Sequence, residues 1–163
     1  MVKIKSAIQA LTRSNVRFVV VGGIAIRAHS SAYVTFDLDF CYARTKENLK
    51  NITEALSAFK PRPRDFPGDL PFVFDERTLQ SATNFTFQTE IGDIDLLGEV
   101  AGIGDYDAVK AHSETKHFYD CDVDILSIEG LIKAKRAAGR AKDLLVLPEL
   151  EALREVLEEA GGE

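Results

Sequence analysis

The sequence predicts an α/β (α+β) fold, a small mixed sheet flanked by helices with a C-terminal helical segment, and three observations carry that expectation. First, the apolar run Val19, Val20 and Val21 stops at Gly22-Gly23 and resumes as extended chain over residues 34–42, with room between for a little more than one helical turn. Second, residues 83–89 (TNFTFQT) alternate aromatic and polar side chains, and Gly92 permits a tight turn into residues 94–97, so 85–97 reads as a hairpin. Third, from Ser127 onward apolar residues recur at helical spacing. A chain of 163 residues, 45% hydrophobic and 28% charged, suits one domain (1–163). Its sheet core spans 1–126, with the helices of 127–163 packed on it.

In chain order, Ile4, Ala7, Ile8 and Leu11 share one face of an N-terminal helix ending near Asn15. Residues 18–21 form the first strand. After the second strand, Thr45 caps a helix reaching about Phe59, with Leu49, Ile52, Leu56 and Phe59 as its buried stripe. Residues 60–68 (KPRPRDFPG) hold three prolines and one glycine and read as an irregular, solvated loop, although their basic side chains could reach phosphates. Residues 72–74 look like a short strand, 101–106 like a loop and 107–112 like a helical turn. Residues 117–119 and 123–126 read as short strands. Ser127 caps the next helix with Glu129 in its first turn, and Gly139 ends it. A further helix starts near Ala141; Pro148 should break or kink it, so that 148–160 begins afresh.

Composition excludes several classes of function. A formal charge of −6 argues against a general DNA or RNA binder, since such binding rests on lysines and arginines that neutralise phosphates. No run approaches the ~18 apolar residues of a membrane span, and the start MVKIKSAIQALTRSN is amphipathic and unlike a signal peptide, so the default address is cytoplasmic. Cys41 and Cys121 lack metal-type spacing, and Cys41 reads as a small core residue.

The extended stretch after the glycines poses the chemical question. Thr35, Asp37 and Asp39 fall on one face of a strand, with Phe36, Leu38 and Phe40 on the other. The apolar face joins a core; the face with two carboxylates needs a partner, because like charges repel and an unpaired buried carboxylate costs several kcal/mol. Mg2+ favours oxygen ligands and takes one or two carboxylates together with substrate phosphates. Gly22 and Gly23 fit the same chemistry, since a residue without Cβ lets backbone approach a phosphate and a helix starting there aims N–H groups at it. A third acid is available at Asp93 or Asp95, which share a face, so spacing does not choose between them. Asp122-Val123-Asp124 repeats the acid–hydrophobic–acid pattern without a preceding glycine cradle and reads as a structural turn.

Gly22-Gly23, thirteen residues, then Asp37-Leu38-Asp39-Phe40 resembles the signature of the DNA polymerase β-like nucleotidyltransferase superfamily, with Ile91-Gly92-Asp93-Ile94-Asp95-Leu96-Leu97-Gly98 as the later acidic strand. The run from Leu131 to Arg140, followed by Lys142-Asp143-Leu144, is similar to stand-alone bacterial members related to the nucleotidyltransferase toxins of abortive-infection (type IV) toxin–antitoxin pairs. The resemblance covers most of the chain and departs from the pattern at Ser30 and Tyr33. It implies a polymerase-β-like nucleotidyltransferase fold and transfer of an NMP from an NTP to a hydroxyl of tRNA or protein. Asp37, Asp39 and Asp95 would then be catalytic and would hold Mg2+, two ions with bound NTP; family position favours Asp95 over Asp93. Gly22, Gly23 and Lys135 would bind nucleotide, with Arg140 and Asp143 as a bracing pair. A cognate antitoxin is an implied partner, and a membrane is not. The alternative is a nucleotidyltransferase fold without catalysis, serving as a nucleotide-binding or regulatory protein. An enzyme that modifies small molecules would want an acceptor domain of usual size, ~100 residues, for which the stretch after Asp95 leaves little room.

Overall fold

A computed structural model describes residues 3–30 and 37–161. The chain opens with helix α1 (Ile4–Arg13), whose buried face is Ile4, Ala7, Ile8, Ala10 and Leu11. Strand β1 (Phe18–Val21) follows, buried throughout. Helix α2 (Gly22–His29) starts on the glycine itself, so the expected turn and helix are one element. Strand β2 is described from Leu38 to Tyr42; the expected strand segment 34–36, with Thr35 and with the departure at Tyr33, lies outside the described residues.

Helix α3 (Lys46–Leu56) is capped as expected by the Thr45 side chain, which accepts from Asn48 N at 3.2 Å, and it tightens into a 3-10 turn at Ser57–Phe59. Asn48 is buried and tied down: it accepts from Arg17 N at 2.7 Å and donates to Ala43 O at 2.7 Å and Arg17 O at 3.1 Å. A buried amide with its bonds made costs little, and this one clamps α3 to the adjoining ends of β1 and β2.

The proline-rich stretch is less irregular than its composition suggests. Arg62–Pro63 forms a short strand, β3, against a strand that follows helix α4 (Glu76–Gln80), itself unforeseen and capped by Asp75. That partner is β4 (Asn84–Thr89), paired as Arg62 with Gln88 and Pro63 with Phe87. Proline is tolerated because β3 is an edge strand that need not donate outward. Residues 72–74 are not a strand: β3 already occupies that edge of β4, and Phe72 and Phe74 instead pack on Phe87, with centroids at 6.4 and 5.3 Å.

Strand β5 (Gly92–Leu97) completes the predicted hairpin with β4. Short strands β6 (Glu99–Val100) and β7 (Gly104–Asp105) pair in what was expected to be loop, before helix α5 (Tyr106–Ala111). Strands β8 (Ser113–Phe118) and β9 (Cys121–Leu126) form a second hairpin. Tyr119 and Asp120 turn it with φ of 54° and 62°, the left-handed pair that a two-residue hairpin turn requires. Ser127 caps helix α6 (Ile128–Ala138) by accepting from Gly130 N, and Gly139 closes it in the left-handed conformation at φ 63°. Helix α7 (Ala141–Gly161) runs through Pro148 without the predicted break. Pro148 is exposed, as is Leu144 four residues back, so water can serve the carbonyl that the missing N–H leaves free.

The main sheet is mixed, in the order β3-β4-β5-β2-β1-β9-β8. The β2–β5 and β1–β9 contacts are parallel and the others antiparallel. Its central strands bury Val19, Val20, Leu38, Phe40, Ile94 and Leu96 in one apolar cluster that also takes Leu131 and Ile132 of α6 and Leu150 of α7. Each such side chain contributes ~1.5–3 kcal/mol by burial.

Candidate active site

Sheet register assembles the site. Antiparallel pairing sets Asp39 opposite Val21, immediately before the glycines; parallel pairing sets Asp95 beside Asp39; antiparallel pairing sets Thr86 beside Asp95. Arg64 extends the row by donating its backbone N–H to Thr86 O at 2.9 Å. Residues side by side in neighbouring strands point to the same face, so Asp39, Asp95 and Thr86 form a line across three strands, which Arg64, in the turn just past β3, extends.

Asp39 and Asp95 face each other, and each keeps one buried oxygen, Oδ1, without a hydrogen-bond partner. The Asp39 carboxyl is pushed up to about 7, first by burial, then by the charge of Asp95 and a hydrogen bond shared with it, then by the charge of Asp37, against a smaller opposing pull from Lys135. Two facing carboxylates with orphaned oxygens fit a divalent cation, which would supply the missing positive charge and accept both lone pairs. Asp37 lies just before β2 and its charge reaches Asp39. Among the described residues no three His, Cys, Asp or Glu side chains form a ready metal centre, so water and a ligand's oxygens would complete the shell.

Gly22 explains why a glycine must stand there. Its φ is +65°, and a Cβ would meet Asp39 Oδ2 at 2.2 Å. The glycine therefore makes space for the carboxylate as well as starting α2, whose first N–H groups receive no side-chain cap. Gly23 follows in the first turn of α2.

Beside Asp39 lies a cleft of about 330 Å³ whose lining includes Gly22, Asn84, Lys135, Arg140 and Asp143. Asp143 is fully buried and gathers both cations: Lys135 Nζ stands 3.2 Å from Oδ1 and Arg140 Nε 2.6 Å from Oδ2. Burial pushes the Asp143 carboxyl up, but the hydrogen bonds from Arg140 and Lys135 win and hold it below the usual carboxylate range. The Arg140–Asp143 pair is as the sequence suggested; that Lys135 shares Asp143 was not foreseen.

The second acid–hydrophobic–acid motif and Cys41 have structural surroundings. Asp122 pairs with His117 at 3.0 Å, and Asp124 with Lys110 and Thr115, away from the row. Burial pushes the Cys41 thiol up to about 12, as suits a core residue. Sequence reading placed Arg64 in a solvated basic loop; its guanidinium instead lies 3.1 Å from Asp93 Oδ2 and 3.7 Å from Asp95 Oδ1. The usable signal was the Arg-Pro-Arg alternation, which sends Arg62 and Arg64 to one face of any extended segment.

Together the mixed sheet and its flanking helices match a nucleotidyltransferase-like fold. A crystal structure from Thermotoga maritima, described as a "putative nucleotidyltransferase", superposes with a TM-score of 0.51 over 98% of this chain and 96% of that one, at 15% identity. At that identity the likeness speaks for the fold. No protein-family model matches the sequence, and no curated protein matches it significantly.

Proposed function

We propose that this protein is a Mg2+-dependent nucleotidyltransferase that moves an NMP from an NTP to a hydroxyl of tRNA or protein. The observation that carries the reading is the facing pair Asp39 and Asp95, each with a buried oxygen lacking a partner, beside a glycine that only the absence of Cβ allows. Asp37, Asp39 and Asp95 would hold the metal, and Gly22, Gly23 and Lys135 the nucleotide. When bound, Mg2+ would neutralise the triphosphate and stabilise the departing pyrophosphate.

The chain's own residues do the rest. The N–H groups at the start of α2 orient the phosphates, and Lys135, braced by Asp143, lends them positive charge. The acceptor oxygen forms a bond to the α-phosphorus as the α–β anhydride bond breaks. Asp95 takes up the hydroxyl proton, and pyrophosphate carries away the electron pair of the broken bond. The resemblance of the 131–144 segment to abortive-infection toxins extends the proposal to the toxin half of a toxin–antitoxin pair, with a cognate antitoxin as partner.

The test is transfer from each of the four α-labelled NTPs, with Mg2+, to total tRNA and separately to lysate protein. Label on one RNA or protein species, absent with the Asp37→Ala/Asp39→Ala double variant, establishes the activity and identifies donor and acceptor class. Nucleotide binding without transfer moves the assignment to a nucleotide-binding regulatory protein of the same fold.

A further inference from the structure

We propose that Arg64 is a built-in competitor of the metal, a positioning residue that makes cation binding at Asp95 depend on the arrival of the triphosphate. The inference rests on the proposed function above and goes beyond it, since no role attaches there to the 60–68 segment.

Two bonds fix Arg64. Its backbone N–H goes to Thr86 O at 2.9 Å, directly across from Asp95, and its Nη2 sits 3.1 Å from Asp93 Oδ2. Held there, the same nitrogen stands 3.7 Å from Asp95 Oδ1, the buried oxygen without a hydrogen bond. The separation is too long for a hydrogen bond and short enough for strong charge interaction. A bare divalent cation approaching that oxygen meets a guanidinium already beside it. A triphosphate changes the balance, because its negative charge offsets the repulsion and offers Arg64 a new acceptor. Arg64 is 40% exposed on its side chain, so it can turn toward such a ligand without unpacking the core. Asp93 thereby acquires a role as the anchor of Arg64, distinct from that of Asp95.

The test is Mn2+ titration followed by electron paramagnetic resonance on the wild type, Arg64→Gln and Arg64→Lys, with and without a non-hydrolysable ATP analogue. Without nucleotide, Arg64→Gln should bind Mn2+ about fivefold more tightly, the order expected for removing a half-exposed charge near 4 Å, while Arg64→Lys stays close to wild type. With the analogue present, the gap between wild type and Arg64→Gln should close. Mn2+ affinity unchanged or weakened in Arg64→Gln overturns this inference alone. Mn2+ that binds neither wild type nor variant overturns it together with the proposed function.

Discussion

Asp39 carries the sharpest residue-level consequence. In the folded, metal-free protein its carboxyl titrates near 7, well above its ordinary 3.8, so between those values the folded state holds a proton that the unfolded chain has released. This group's contribution to stability is therefore fully present below about pH 4 and is lost as pH rises through about 7. In EDTA, Asp39→Asn should melt about 2–4 °C above wild type at pH 8, with the difference shrinking by pH 5; equal melting at both values would refute the strain assigned to the facing pair. Mg2+ should raise the wild-type Tm at pH 8 and leave that of the variant unmoved. Gly22→Ala presses a methyl group into Asp39 Oδ2 at a positive φ. It should lower the Tm by a few degrees and weaken Mn2+ binding, both readable in one melt and one titration. Lys135→Ala leaves Arg140 on Asp143, so the fold should persist while binding of an ATP analogue weakens roughly tenfold. An unchanged affinity would remove Lys135 from the site.

Among elements, α7 departs most from expectation. Proline inside a helix costs ~3 kcal/mol by propensity, yet Ala141–Gly161 is continuous and brings Leu150 into the core. Pro148→Ala should raise the Tm by several degrees; a fall would show that a proline bend is what seats Leu150. Elements with strong local signals were legible: Thr45, Ser127 and Gly139 stand where their capping chemistry places them, and the aromatic alternation of β4 with the Gly92 turn yields the hairpin. Elements decided by tertiary competition were not. Residues 72–74 have strand-like composition but find the β4 edge occupied by Arg62–Pro63, and α4, β6 and β7 are too short to generate a periodic signal.

For the whole molecule, an acidic chain of net charge −6 brings Lys135, Arg140 and Arg64 around two carboxylates that each keep one buried oxygen without a hydrogen bond. No helix among the described residues is long and apolar enough to cross a membrane. Much of the site was readable because its residues lie in short contiguous motifs; spacing alone left Asp93 and Asp95 open, and the register sets Asp95 against Asp39. What spacing could not give was the row itself, since Thr86, Asp95 and Asp39 come from three strands, and Arg64 from the turn after a fourth, that meet only through sheet order. The proposed chemistry belongs to this row and not to the second acidic pair. Label transfer by wild type, Asp39→Asn and Asp122→Asn/Asp124→Asn, compared side by side, distinguishes the two sites. Transfer should vanish in Asp39→Asn and survive in the double variant; transfer retained without Asp39, or lost with Asp122 and Asp124, would place the chemistry elsewhere.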